Sequence, residues 1–235
     1  KEGFSFQKKN LPAFIGRSFF GTLGILCNFY AVDHLVLSDA SILNKLSPFF
    51  AILFSYFILK EKLTLVQGSA VAAAFCGAIL VVKPGFAGAN VLIPSLVGVT
   101  GGMCAGLAYT LVRVLGQRGQ KGVSVVLFFS GFSCVVTLPY LIWDFHPMTV
   151  LQVLTLLGAG LAAAGGQFSI TAAYYHAPAK EISIYDYSQI IFSAVLGFVL
   201  FQQIPDRYSV LGYVIICAMA LWMFFYNRRP QEEAA

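Results

Sequence analysis

The sequence predicts an all-α polytopic membrane helix bundle made of inverted repeats, and three observations carry that prediction. Apolar residues make up 58% of the 235 and charged ones 11%, with mean hydropathy +0.79, whereas an ordinary soluble domain is about 45–50% apolar and about 25% charged. The apolar residues gather into eight segments near the roughly 20 residues a helix needs to cross a hydrocarbon core of about 30 Å. The chain also echoes itself at an offset of 142: Gly16 recurs as Gly158, Gly24 as Gly166, Ala31 as Ala173, His34 as His176, Ser41 as Ser183 and Phe50 as Phe192, with Asn44 falling on Asp186. Five crossings separate a span from its copy, an odd number, so the copy runs through the bilayer in the opposite sense.

The first span, 12–32, carries Asn28 as an inward-facing polar candidate. The second, 40–59, holds Ser41, Asn44, Lys45 and Pro48. A proline there removes a backbone donor and clashes with the preceding turn, so Pro48 predicts a helix break or hinge. Lys45 and, in the seventh span (182–201), Asp186 read as the ionisable groups well inside spans, Arg17 being counted with the helix-end charges. A charge at that depth costs about 2.5–3.5 kcal/mol on insertion scales, so it must face a cavity or a partner, unless it snorkels to the interface. Straight helices entering from opposite faces would hold Lys45 and Asp186 about 15 Å apart. A direct pair therefore requires a broken or tilted helix.

The third span is 64–83. The fourth, 92–112, presents Gly98, Gly102 and Gly106 as two consecutive GxxxG steps, a helix-packing surface whose alternative use is a homodimer interface, and Tyr109 as a lining residue. The fifth, 123–142, contains Gly131-Phe132-Ser133, a GxS match whose potential partners His34, His146 and His176 fall at span ends or in loops. The sixth, 151–174, places Gln167, Thr171 and Tyr174 at i, i+4, i+7, a polar stripe on an apolar helix, beside a small-residue ridge of Gly158, Ala162 and Gly166. Tyr185 and Gln189 flank Asp186 in the seventh; the eighth span is 209–226. For the tyrosines an interfacial belt is the competing reading, and for Gln167 a helix–helix hydrogen bond.

Assigning loops alternately to two sides puts twelve Lys and Arg on one side and Lys45, Lys83 and Arg207 on the other. The positive-inside rule then predicts cytoplasmic termini and a plasma or inner membrane location, and the formal charge of +5 speaks for lipid headgroups, with nucleic acid not expected. The five cysteines sit one to a span without CxxC spacing. Since HExxH, paired-carboxylate and phosphate-loop motifs are also missing, neither an enzyme nor a metal or cofactor is expected.

Ala40-Ser41, Leu46-Ser47-Pro48 and Leu59-Lys60-Glu61-Lys62-Leu63-Thr64, with the later counterparts Ser188-Gln189-Ile190, Gly197 and Leu200-Phe201-Gln202-Gln203, resemble the EamA type of the drug/metabolite transporter superfamily. Where that pattern has Glu-Pro and Gly-Glu in the second half, this chain has Gln189-Ile190 and Gln202-Gln203. The resemblance implies ten helices in two inverted five-helix halves, with Lys1 just before the third. Residues 11–83 would then be an incomplete first repeat and 92–226 the second. It also implies a secondary transporter exporting small polar metabolites such as amino acids. Lys45, Asn44, Asp186, Tyr185, Gln189, Gln167, Thr171, Tyr174, Asn28 and Tyr109 are the expected substrate lining. Nucleotide sugars or other phosphorylated metabolites are the alternative cargo, and a channel or a structural membrane protein the alternative class.

Overall fold

The structure is a computed structural model, and it describes residues 8–60, 64–83, 88–176 and 188–228. Among the described residues all regular structure is helical. After a short turn at Lys8–Asn10 come α1 (Leu11–His34), α2 (Leu37–Asn44), α3 (Ser47–Ile58), α4 (Leu65–Val82), α5 (Ala89–Gln117), α6 (Gly122–Trp143), α7 (Val150–His176), α8 (Ser188–Phe201) and α9 (Arg207–Arg228). Among the described residues, six segments are long and apolar enough to cross a bilayer: Leu37–Ile58, Leu65–Val82, Ala89–Gln117, Gly122–Trp143, Val150–His176 and Arg207–Tyr226. The chain is thus a polytopic membrane helix bundle. Helix α1 has the length, 24 residues, but Arg17 and Asn28 dilute its apolar character. Helix α8 is apolar but only 14 residues long, and its expected first six positions, 182–187, lie outside the described residues.

The second expected span is two helices. After Asn44 the backbone leaves helical register at Lys45 (φ −74°, ψ 5°), where Leu46 N–H reaches back only three residues, to the Leu43 carbonyl at 3.2 Å. Pro48 follows at the second position of α3. Its ring excludes the carbonyl four residues earlier, that of Asn44, from an unbroken helix, and a proline in the first turn of a new helix costs nothing in lost donors.

Helix ends elsewhere are written locally. Thr64 and Gln67 form a reciprocal capping box at the start of α4 (3.1 and 3.2 Å). Asp206 accepts from the Ser209 N–H at 2.9 Å at the start of α9. Helix α5 stops because Gly119 takes φ +72°, letting Gln120 N–H return to Leu115 O and Gly119 N–H to Gly116 O, the paired bonds of a left-handed glycine cap. Several ends recur at the sequence offset: α1 ends at His34 and α7 at His176, the caps Thr64 and Asp206 correspond, and Lys60 (φ 55°) and Gln202 (φ 54°) are both left-handed after a helix.

Helix α5 is the hub, contacting α1, α2, α3, α4, α6 and α7, while α4 packs on α9 and α8 on α2. In lipid such packing draws on close van der Waals contact rather than on apolar burial, and glycines provide it. A Cβ on Gly102 would lie 2.7 Å from Leu43 O, and one on Gly106 would lie 2.6 Å from Ser47 O and 2.9 Å from Ala51 N. The α5 GxxxG ridge therefore seats the broken α2–α3 segment. Gly24 meets Gly101 between α1 and α5, and Gly77 meets Gly212 between α4 and α9. The expected ridge on α7 is different: Gly158 and Gly166 have nothing within 4 Å among the described residues. Along that part of α7, Leu154, Leu157 and Leu161 are exposed.

Candidate functional site

A polar cavity of about 130 Å³ lies among α1, α2, α5, α6 and α7, and its walls include Arg17, Asn28, Asn44, Tyr109, Phe129 and Gln167. Four of these, Asn28, Asn44, Tyr109 and Gln167, are expected lining residues. Asn44 reaches the site because α2 ends there, and Asn28 because close contact between Gly24 and Gly101 brings α1 against α5.

Arg17 was grouped with the helix-end charges, and the structure corrects that placement. It is 2% exposed, with its guanidinium carbon 4.1 Å from the centroid of the Phe129 ring. The residue sits six positions past the start of α1, as deep as Lys45 was expected to sit, and the helix-helix interface closes over it before its side chain can reach water. Burying that charge costs about 2.5–3.5 kcal/mol on insertion scales, of which the aromatic face returns about 0.5–2 kcal/mol. Gly21 makes the pose feasible, since a Cβ there would lie 2.1 Å from Arg17 Nη1.

Behind the wall, Tyr174 is 1% exposed and stacks on Tyr109 with centroids 4.5 Å apart and planes at 11°. Gln167 Nε2 donates to Thr171 Oγ1 at 2.9 Å, and Thr171 is buried. The Gln167, Thr171, Tyr174 stripe thus runs along the inner side of α7, with Gln167 alone of the three at the cavity. Ser133 of the GxS match hydrogen-bonds Thr22 at 2.7 Å and ties α6 to α1.

Lys45 is 7% exposed at the break after α2 and is not among the cavity walls. Gln189 is exposed: the buried stripe of α8 is Ile190, Ser193 and Gly197, one residue out of phase with it, so Gln189 turns away from the bundle. Tyr185 and Asp186 lie outside the described residues, and so does the question of whether Asp186 approaches Lys45.

Toward the C-terminal end of α1, α2 is fastened to α8 and α9 by a polar seam. Ser41 Oγ donates to Ser193 Oγ at 2.7 Å, and Gln203 Oε1 accepts from Leu37 N–H at 2.9 Å. Tyr213 Oη lies 2.5 Å from Asp39 Oδ1 and 3.0 Å from Ser38 Oγ. Beside it, Lys83 pairs with Asp206. Burial opposes ionisation of Asp206, but the Lys83 bond and charge and the Ser209 and Tyr208 amides outweigh it, so its carboxyl lies below the usual carboxylate range. Asp39, Tyr213 and Arg17 escaped the sequence reading because each lies near a span end, where a polar group is unremarkable.

Comparison with known proteins places this architecture. The profile of the EamA-like transporter family matches residues 1–83 and 95–225. The chain is 31% identical over 215 residues to the pseudopaline exporter CntI of Pseudomonas aeruginosa (strain PAO1), covering 91% of this chain and 75% of that protein. It is 26% identical over 207 residues to an uncharacterized transporter of Helicobacter pylori (strain J99), covering 86% and 69%. A crystal structure of a protein at 14% identity superposes with a TM-score of 0.66 over 93% of this chain and 77% of its own, a likeness of fold. The chain belongs to the EamA-like transporter family and is a multi-pass membrane transporter of the drug/metabolite transporter superfamily.

Proposed function

We propose that this protein is a secondary transporter that exports small polar metabolites across the plasma membrane by alternating access. The observation that carries the reading is the cavity: five polar side chains, Arg17, Asn28, Asn44, Tyr109 and Gln167, converge on one space inside a bundle of apolar helices. A polar pocket within lipid is costly unless it serves a solute. Helices broken beside such a pocket are the usual way membrane carriers expose backbone groups to cargo, and α2–α3 breaks beside Asn44. Recurrence of helix ends at the 142-residue offset supports a second half that copies the first in inverted sense. Similarity to a protein named an exporter supports the direction. With Arg17 and Lys45 both buried, the charge asymmetry between loops is eleven against two, which supports cytoplasmic termini.

The test is flux from proteoliposomes preloaded with a panel of labelled amino and hydroxy acids, with Asn44→Ala and Gln167→Ala as cavity variants. Substrate-dependent exchange that each variant weakens about tenfold is expected, since each removes a hydrogen bond to cargo in a desolvated site. Ohmic conductance in a planar bilayer would favour a channel. No flux for any member, with both variants indistinguishable from the parent, would leave only a structural role.

A further inference from the structure

Among the described residues, the charge in the cavity wall has no counter-charge. None of the residues around the cavity is acidic, and among the described residues no carboxylate pairs with Arg17. Among the described residues its Nε has no hydrogen-bond partner, although it is buried from solvent. Phe129 covers the face of the guanidinium and so leaves the in-plane N–H edge as its remaining binding surface. Gly21 lets that group fold back along its own helix. A buried cation shaped into place without an anion is unfavourable by itself and is relieved when an anion arrives.

The neighbours say which anion. One positive charge balances one negative charge, and Asn28, Asn44, Tyr109 and Gln167 add only neutral donors and acceptors. A phosphate monoester brings about −1.5 to −2, whereas a carboxylate brings one charge in a planar fork that an arginine can grip with two N–H groups. At about 130 Å³ the cavity is close in size to the roughly 150 Å³ cavity that takes one benzene. That scale fits a short amino or hydroxy acid.

The geometry points to Arg17 as the residue that recognises the carboxylate of a small hydroxy or amino acid, with Gly21 and Phe129 positioning its guanidinium. The assignment rests on the transport reading above and narrows its substrate class.

The experiment pairs ligands that differ only at the carboxyl group: L-alanine with L-alaninamide, and L-lactate with L-lactamide. Inorganic phosphate and phosphatidylglycerol nanodiscs serve as other anion sources. Thermal unfolding of the purified full-length protein reads binding, and counterflow of labelled L-alanine in proteoliposomes reads transport. Expected are stabilisation by both carboxylates and neither amide, at least tenfold weaker carboxylate binding in Arg17→Gln, and partial retention in Arg17→Lys. Gly21→Ala is expected to behave like Arg17→Gln while keeping the charge, so the idea stays testable if Arg17→Gln does not fold. Amides binding as tightly as their acids would overturn it, as would unchanged carboxylate binding in both variants, or stabilisation by phosphate or phosphatidylglycerol alone. A purely structural Arg17 would lower the unliganded melting temperature and leave the acid-to-amide ratio where it was. Arg17-dependent carboxylate binding without counterflow would keep this site and sink the transport reading; flux confined to solutes without a carboxylate would do the reverse.

Discussion

Gly106 and Gly158 are both glycines inside long apolar helices, yet their surroundings predict opposite responses to one methyl group. At Gly106 an added Cβ meets backbone at 2.6 and 2.9 Å, from Ser47 O and Ala51 N, and neither can yield without moving α3. Gly106→Ala should therefore lose about 1–3 kcal/mol, the range for overpacking a close contact. At Gly158 nothing among the described residues lies within 4 Å, so Gly158→Ala should be neutral or gain up to about 1 kcal/mol from helix propensity. Thermal unfolding of the two variants in one detergent checks both; equal melting temperatures would remove α5 as the seat of the broken helix. A second residue-scale prediction concerns pH. Asp206 has its carboxyl held below the ordinary range, so the stability it contributes is fully present above that range and is lost as pH falls through its depressed value. The pair is half exposed, which limits it to about 0–1 kcal/mol. Asp206→Asn keeps a good helix cap but should flatten the acid limb of the stability profile below about pH 4, measured as melting temperature against pH. An acid limb as steep as the parent's would assign that limb to other carboxyls.

Elements meet most tightly at the seam where α2 faces α8 and α9. Tyr213 Oη lies within hydrogen-bond distance of two groups there, and its one proton goes to the buried Asp39 carboxylate, leaving its oxygen as the partner of the Ser38 hydroxyl. Tyr213→Phe should cost about 1–3 kcal/mol, the penalty for leaving buried polar atoms unpaired. Adding Asp39→Asn should then cost less than it does alone, because the two share one contact. A double-mutant cycle read by denaturation gives the coupling, and strict additivity would show that the contact contributes nothing. The spans, the proline break and the α5 ridge were legible in the sequence because bilayer thickness, a missing N–H and a missing Cβ each leave a local mark. Asn28, Asn44, Tyr109 and Gln167 were legible as well, being polar residues stranded in apolar helices. Arg17 was not, since charge near a span end normally reaches water, and only the packing of α6 over α1 brings Phe129 above it. The α7 ridge misled for the converse reason: small residues permit close approach, but only a neighbour makes one. Gln189 lies one residue out of phase with the buried stripe of α8, a placement that depends on how α8 is rotated against α2.

For the molecule as a whole, the seam and the cavity lie at different heights along the same helices. Between them they set what alternating access would have to change. The cavity takes Asn44 from the C-terminal end of α2, while the seam holds the start and middle of α2, through Leu37 and Ser41, to α8. Opening the bundle on that side therefore requires α2 to part from α8, and the bond between Ser41 and Ser193 is the buried contact that must break. Hydroxyl oxygens 2.7 Å apart are compatible with the Cβ spacing of about 3.5–4.5 Å that a disulfide needs. The pair Ser41→Cys and Ser193→Cys, in a background with Cys27, Cys76, Cys104, Cys134 and Cys217 replaced, should therefore crosslink under mild oxidant. The crosslinked protein should lose counterflow by more than tenfold and still bind cargo, because the cavity is untouched. Dithiothreitol should restore exchange to the level of the reduced double variant. Undiminished exchange in the crosslinked protein would mean that α2 and α8 move as one body, and that the opening lies elsewhere, between α4 and α9 or between α1 and α6.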